Sequence, residues 1–280
     1  MNQSDQSVCF LFDNGSLRAD SIHSLRKVAF SLRKHTGKAV RAVSLLHSSN
    51  VPVKALGGEP ARLLEPALLD YFFSHPDGEV LLSPLFFGPS AALTDYVPER
   101  IKAVKTRFPN ARIQLAPWLV NIGEADRRIA VMLADRVRAT VKTHGWSRPN
   151  VILVDHGSPQ PAVTAVRNHL GSQLREELDG EIAMLTVASM ERRDGAAYAF
   201  GDPLLATALR TAPFDHGEVV IALQFLSPGR HAGSGGDITK ICEGAKAERP
   251  GLMTATTELL ASDPRLVDVL AERLTQAQSL

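Results

Sequence analysis

The sequence repeats itself once, in register, and this bears on the fold more than anything else in it. Asp13-Asn14-Gly15-Ser16 returns as Asp155-His156-Gly157-Ser158, 142 positions on. Gly78–Pro89 (GEVLLSPLFFGP) returns as Gly217–Pro228 (GEVVIALQFLSP), 139 positions on. Glu65-Pro66 precedes the first block and Asp202-Pro203 the second, and Arg107-Phe108-Pro109 is answered by Arg249-Pro250. Chance is a poor explanation for several blocks in one order. The period is far longer than the ~20–50 residues of a solenoid. At ~100–200 residues per domain, the 280-residue chain allows one large domain or two ordinary ones. The repeat favours two similar lobes, residues 1–146 and 147–280. A linker is expected near His144–Asn150 (HGWSRPN), a stretch containing Gly and Pro.

Each half carries four short, mostly apolar, β-branched runs. They are residues 8–13, 39–46, 79–87 and 112–117, then 151–156, 182–189, 218–226 and 251–258. Apolar runs without strict alternation predict strands buried on both faces. Between them, Leu25, Val28, Ala29 and Leu32 recur at the spacing of one helix face. Ile129, Met132, Leu133 and Val137 do the same, as do Val163, Val166 and Leu170. Leu259, Leu266, Val269, Leu270 and Leu274 predict a C-terminal helix. Strand–helix alternation of this kind predicts α/β lobes, each a parallel sheet of about four strands with helices on both faces. Two such lobes leave a cleft, and ligands of open α/β sheets bind beyond the carboxyl ends of the strands.

Composition narrows the function. Thirty-one Lys and Arg balance 30 Asp and Glu, so no overall field draws the chain to nucleic acid or an acidic membrane. Aromatic residues are 6% of the chain and form no basic–aromatic cluster of the nucleic-acid-binding kind. Cys9 and Cys242 cannot build a disulfide scaffold or an all-cysteine zinc site. The opening MNQSDQS lacks the basic and apolar regions of a signal peptide, and the apolar stretch Val80–Phe87 is too short to span a bilayer. The expectation is a soluble, cytoplasmic protein.

The repeat breaks where chemistry is expected. After the first strand, His156 faces Asn14; after the third, His231 faces Ala92. After the second, Glu191 faces either His47 or Ser49, depending on gaps. One lobe therefore carries His, Glu and His at three strand ends, and neighbouring strands are only ~5 Å apart. Such a set can bind a divalent transition metal with positions left open. It can equally move protons near neutral pH. Other readings stand beside these. Each histidine could be structural, and Arg192-Arg193 could be an ordinary solvated pair. Ser158 could be a nucleophile, although its surroundings lack the G-x-S-x-G pattern. Gly229–Gly236 (GRHAGSGG) has the glycines of a phosphate loop without its Lys-Ser/Thr, and could be a turn before a helix opening near Asp237. His23, His35, His47 and His75 are scattered and read as surface or structural.

Val151–Ser158 (VILVDHGS), Thr186–Glu191 (TVASME) and Gln224–His231 (QFLSPGRH), followed by Asp237-Ile238, together resemble the CbiX/SirB sirohydrochlorin chelatases of the class II chelatase superfamily. By motif the resemblance covers about residues 151–245; with the first half as a degenerate copy it covers the chain. It implies that His156 and His231 hold or deliver a metal, with Glu191 beside them; a carboxylate there would balance the ion's charge and accept a proton. It implies sirohydrochlorin, a carboxylate-edged tetrapyrrole, as substrate. The metal would be Co2+ or Fe2+, with Ni2+ also compatible, and no further cofactor would be required. Ser158, at the start of a helix, and Arg192, Arg193 and Arg230 become candidates for holding substrate carboxylates. The alternative on the same fold is a non-catalytic tetrapyrrole or metal carrier. Two features depart from the family pattern: Met190 replaces the usual Leu before the Glu, and Arg192-Arg193 follow it. The motifs also lie in the second lobe, whereas several two-lobed relatives keep the catalytic histidines in the first. With both lobes in one chain, a monomer becomes plausible.

Overall fold

A computed structural model describes residues 7–233 and 235–279. It contains two four-stranded parallel sheets of identical topology, each in a separate compact unit. In the first unit β1 (Ser7–Asp13), β2 (Val40–Ser44), β3 (Glu79–Pro84) and β4 (Arg112–Leu115) align in the order β2-β1-β3-β4. In the second, β5 (Asn150–Asp155), β6 (Leu185–Ser189), β7 (Gly217–Leu223) and β8 (Leu252–Thr256) align as β6-β5-β7-β8. Every one of the eight apolar runs contains a strand. The central strands are almost wholly inaccessible; Val151, Ile152, Leu153 and Val154 all have no exposed surface. This is why their sequences are continuous and apolar.

The helices are α1 (Ala19–Thr36), α2 (Leu64–Ser74), α3 (Val97–Arg107), α4 (Arg128–His144), α5 (Pro161–Glu177), α6 (Leu205–Ala208), α7 (Asp237–Glu248) and α8 (Leu266–Gln278). In the first unit, Phe10, Phe12, Val80 and Leu82 pack against Leu68 and Phe72 of α2 and Val97 and Val104 of α3. In the second, Ile152, Val154, Ile221 and Leu223 pack against Leu205 and Ala208 of α6 and Ile238, Cys242 and Ala245 of α7.

The expected boundary near residue 146 lies inside the second unit. The first unit is residues 1–119 together with 264–280, and the second is residues 120–263. Helix α4, which follows the first sheet in sequence, packs on β7 and α5. Arg127 holds Glu176 and Glu177 at 2.7 and 2.8 Å, and Arg138 holds Glu181 at 2.7 Å. Helix α8 returns to the first sheet, packing on α1, β3 and β4. A helical apolar stripe specifies that a face is buried but not which sheet buries it. Among the described residues, no helix is long and apolar enough to cross a membrane.

Candidate functional site

In a parallel sheet all strands end on one side, and in the second unit β5, β6 and β7 bring the three predicted side chains together there. β5 ends at Asp155, and the chain continues through His156 into Gly157 at φ +91°. That left-handed conformation is open to glycine, and a Cβ at Gly157 would lie 1.9 Å from the Glu191 carbonyl oxygen. The contact is close because the ladder runs on past the strands. Met190 N–H donates to Asp155 O at 2.8 Å, and Glu191 N–H donates to His156 O at 3.2 Å. The backbone thereby fixes Glu191 beside His156.

His231 arrives in the glycine-rich turn after β7. Gly229 N–H donates to Ala232 O at 2.9 Å, and the start of α7 folds back, with Asp237 N–H and Ile238 N–H on the carbonyls of Arg230 and His231. The Asp237 side chain then meets the ring: His231 Nδ1 is 2.8 Å from Asp237 Oδ2. The hydrogen bond from His231 holds the Asp237 carboxyl below its ordinary value, helped by the charges of Arg230 and Lys240. An ionised carboxylate only accepts, so Nδ1 of His231 carries the proton. His156 Nδ1 is 3.0 Å from the Gly157 carbonyl oxygen, which also only accepts, so it is protonated as well.

The consequence lies at the opposite nitrogens. His156 Nε2 and His231 Nε2 are 3.3 Å apart, with the rings nearly perpendicular. In neutral imidazoles of this tautomer the two Nε2 lone pairs lie side by side, an arrangement that a shared cation would stabilise. Two nitrogens each about 2.0–2.1 Å from a tetrahedral divalent ion are roughly 3.3–3.4 Å apart, so the observed spacing fits a metal-ligand pair. Glu191 Oε1 stands 3.6 Å from His156 Nε2, and its side chain is exposed. Among the described residues, no group of three or more His, Cys, Asp or Glu side chains is placed to hold a metal ion. The set is a two-imidazole pair with a carboxylate at its margin and positions open to another ligand.

The remaining predicted residues divide. Ser158 Oγ accepts from Gln160 N–H at 3.1 Å, so it shapes the turn into α5. Arg192 donates through Nε to Asp202 at 2.8 Å and through Nη1 to the Arg193 carbonyl, and is anchored. Arg193 lies over the Tyr198 ring at 5.8 Å. Arg230 is 82% exposed, with its Nε 3.5 Å from Asp237. The residue missing from the sequence reading is Arg167 of α5, which is 1% exposed and sits behind the site. Asp155, its neighbour at the end of β5, is also buried, and burial raises its carboxyl against the charge of Arg167.

The register also corrects the comparison between halves. Asp13 aligns with Ser44 and Asp155 with Ser189, so Glu191 corresponds to Leu46 and not to His47 or Ser49. The hydrogen bonds agree, since Leu46 N–H donates to Asn14 O as Glu191 N–H does to His156 O. The stretch matching the His231 turn differs in backbone. In the first unit Ala92–Tyr96 is wound into a widened helical turn that runs straight into α3.

Residues 150–277 match the model of the CbiX family. The matched segment includes all of β5–β8 and every candidate site residue. Solved structures with the same fold extend the likeness to the whole chain. SirB from Bacillus subtilis with Fe3+ has a TM-score of 0.67 at 15% identity, over 97% of this chain and 95% of that one. SirB from Bacillus subtilis subspecies spizizenii in complex with cobalt has a TM-score of 0.69 at 13% identity, over 98% and 96%. CbiX, described as the terminal enzyme for siroheme biosynthesis in denitrifying bacteria, has a TM-score of 0.60 at 16% identity, over 97% and 99%. No curated protein sequence matches the chain.

Proposed function

We propose that the protein is a chelatase that inserts a divalent metal, Co2+ or Fe2+, into sirohydrochlorin or a closely related tetrapyrrole. The observation that carries this is the convergence of two imidazole Nε2 atoms at 3.3 Å, each ring held by a hydrogen bond at its Nδ1. The CbiX segment and the SirB relatives with Fe3+ and cobalt support the same reading.

The metal is substrate. Insertion replaces two pyrrole N–H protons by bonds to the ion. His156 and His231 hold the ion through neutral nitrogens, which a macrocycle can displace stepwise. A two-ligand pair suits transfer better than a closed four-ligand site, because open positions let the incoming nitrogens bind before the imidazoles leave. Glu191, exposed beside His156, offsets the ion's charge and accepts one pyrrole proton, and the second goes to an imidazole nitrogen freed as the ion leaves or to bulk water. Asp237 orients His231 and stabilises its Nδ1–H, as a carboxylate does for a ligating histidine. Arg230 is the most accessible of the candidate clamps for a substrate carboxylate; Arg192 and Arg193 contribute from an anchored loop. No cofactor beyond the transferred ion is required.

The test is the visible spectrum of sirohydrochlorin mixed with Co2+, Fe2+ or Ni2+, with a porphyrin as the comparison macrocycle. The wild-type protein is expected to accelerate insertion into sirohydrochlorin, and His156→Ala or His231→Ala to return the rate to the spontaneous one. Unchanged acceleration in both variants would overturn the site. Binding without acceleration would make the protein a carrier.

A further inference from the structure

One buried guanidinium joins the backbone segments that present the site. Arg167 lies on the inner face of α5 and is 1% exposed. Its Nη1 donates to Ser189 Oγ at the end of β6 and to the Gly201 carbonyl at 3.1 Å. The same nitrogen faces Asp155 Oδ1 at 3.7 Å. Nε and Nη2 are fixed on Asn168 Oδ1 at 3.1 and 3.0 Å, which sets the plane of the fork. Asp155 immediately precedes His156, and Ser189 is two residues before Glu191. Gly201 packs on the Arg192 side chain, where a Cβ would lie 3.5 Å from Arg192 Cβ, and Asp202 next to it receives the Arg192 guanidinium.

The first unit provides an internal control. Arg167 is the seventh residue of α5, and the seventh residue of α1 is Leu25, equally buried. There the hydroxyl matching Ser189 is that of Ser44, which receives its hydrogen bond from Ser48 at 2.9 Å. The same fold thus closes around leucine where no histidine–glutamate set follows. A buried charge is costly to a fold, and an apolar residue of similar size does the packing as well. At this helix position the arginine occurs only in the unit that carries the candidate site; the first unit's buried guanidinium, Arg273 of α8, donates to the Leu119 carbonyl instead.

We propose that Arg167 is a positioning residue for metal transfer, holding His156, Glu191 and the Arg192 loop in one register from behind without touching metal or substrate. The proposal rests on the chelatase reading and deepens it. Removing such a support costs about 10–100-fold in metal affinity or activity.

The experiment compares wild type with Arg167→Lys and with the double variant Arg167→Leu/Asp155→Asn, which takes the first unit's leucine at this helix position and, by neutralising Asp155, leaves no buried unpaired charge. Circular dichroism and thermal melting check folding, Co2+ absorption titrations measure the metal alone, and kcat and KM are read from insertion. In a folded double variant we expect Co2+ affinity and kcat to fall about 10–100-fold, with KM for the tetrapyrrole nearly unchanged. Lysine restores the charge facing Asp155 but not the fork to Ser189 and Gly201, so its values fall between. Wild-type Co2+ affinity and kcat in the folded double variant overturn the proposal. If that variant does not fold, Arg167→Lys decides, and wild-type values in it overturn the proposal. His156→Ala separates the two readings. If it leaves Co2+ binding intact, the chelatase site fails. If it abolishes binding while the Arg167 variants bind as wild type, the positioning role fails.

Discussion

Asp13 and Asp155 occupy the same place, at the end of the first strand of each unit, and differ in what faces them. Asp155 has the Arg167 charge at 3.7 Å. Asp13 has Leu25 at the matching helix position; its Oδ1, like both carboxylate oxygens of Asp155, is covered with no hydrogen-bond partner among the described residues. Burial pushes the Asp13 carboxyl up to about 6, against hydrogen bonds from Ser44 and Gly15. Between its unfolded value near 3.8 and the folded value of about 6, the native state holds a proton that the unfolded chain has lost. Stability therefore falls as pH rises through that window, and the full penalty is present above it. Asp13→Asn removes the penalty. It is expected to stabilise the first unit at pH 8 by on the order of 2–3 kcal/mol, from about 1.4 kcal/mol per pKa unit. Below about pH 4, where both states are protonated, the gain disappears. Urea unfolding at the two pH values checks this, and an equal effect at both would show that the aspartate is not buried as a proton-holding group.

At the scale of elements, the sequence was most readable where packing writes directly into composition. Eight buried parallel strands need eight continuous apolar runs, so each was visible, and the α1, α4, α5 and α8 stripes were visible for the same reason. Two things were hidden. Helices α2 and α3 lie in stretches where proline and short length blur the period, as in Leu64-Glu65-Pro66 and Val97-Pro98. The partner of each helix was also hidden, because Ile129, Met132 and Leu133 would bury equally well on either sheet. His156, Glu191 and His231 could be found because the repeat offers a copy without that set for comparison. Arg167 could not, since a lone arginine in an amphipathic helix reads as a solvated residue until the fold places it inside. The return of α8 makes a prediction at this scale. Leu266, Val269, Leu270 and Leu274 are buried, and Leu270 is 1% exposed. Leu270→Ala is expected to cost about 2–5 kcal/mol. The loss of amide protection should be confined to α1, β3 and β4, leaving β5–β8 protected in hydrogen exchange. A loss centred on β5–β8 would contradict the assignment of α8 to the first unit.

For the whole molecule, duplication supplied two copies of one scaffold, and side chains at the strand ends distinguish them. Restoring identity at the matching positions tests whether those side chains suffice. The variant Asn14→His/Leu46→Glu/Ala92→His gives the first unit the same three residue types. The surroundings still differ. Ala92 begins the widened helical turn leading into α3, whereas His231 sits in a glycine-rich turn closed by hydrogen bonds from Asp237 and Ile238. The position 139 before Asp237 is Pro98, which cannot orient an imidazole, and Leu25 stands where Arg167 would brace the strand ends. A ligand pair needs its supporting groups to bring two lone pairs to one point. The triple variant is therefore expected to bind one Co2+ per chain, as the wild type should, and His156→Ala in that background should abolish binding. Isothermal titration with Co2+ alone gives the stoichiometry. A second site of comparable affinity would show that three side chains on this scaffold are enough, and that the turn, Asp237 and Arg167 are dispensable for holding the metal.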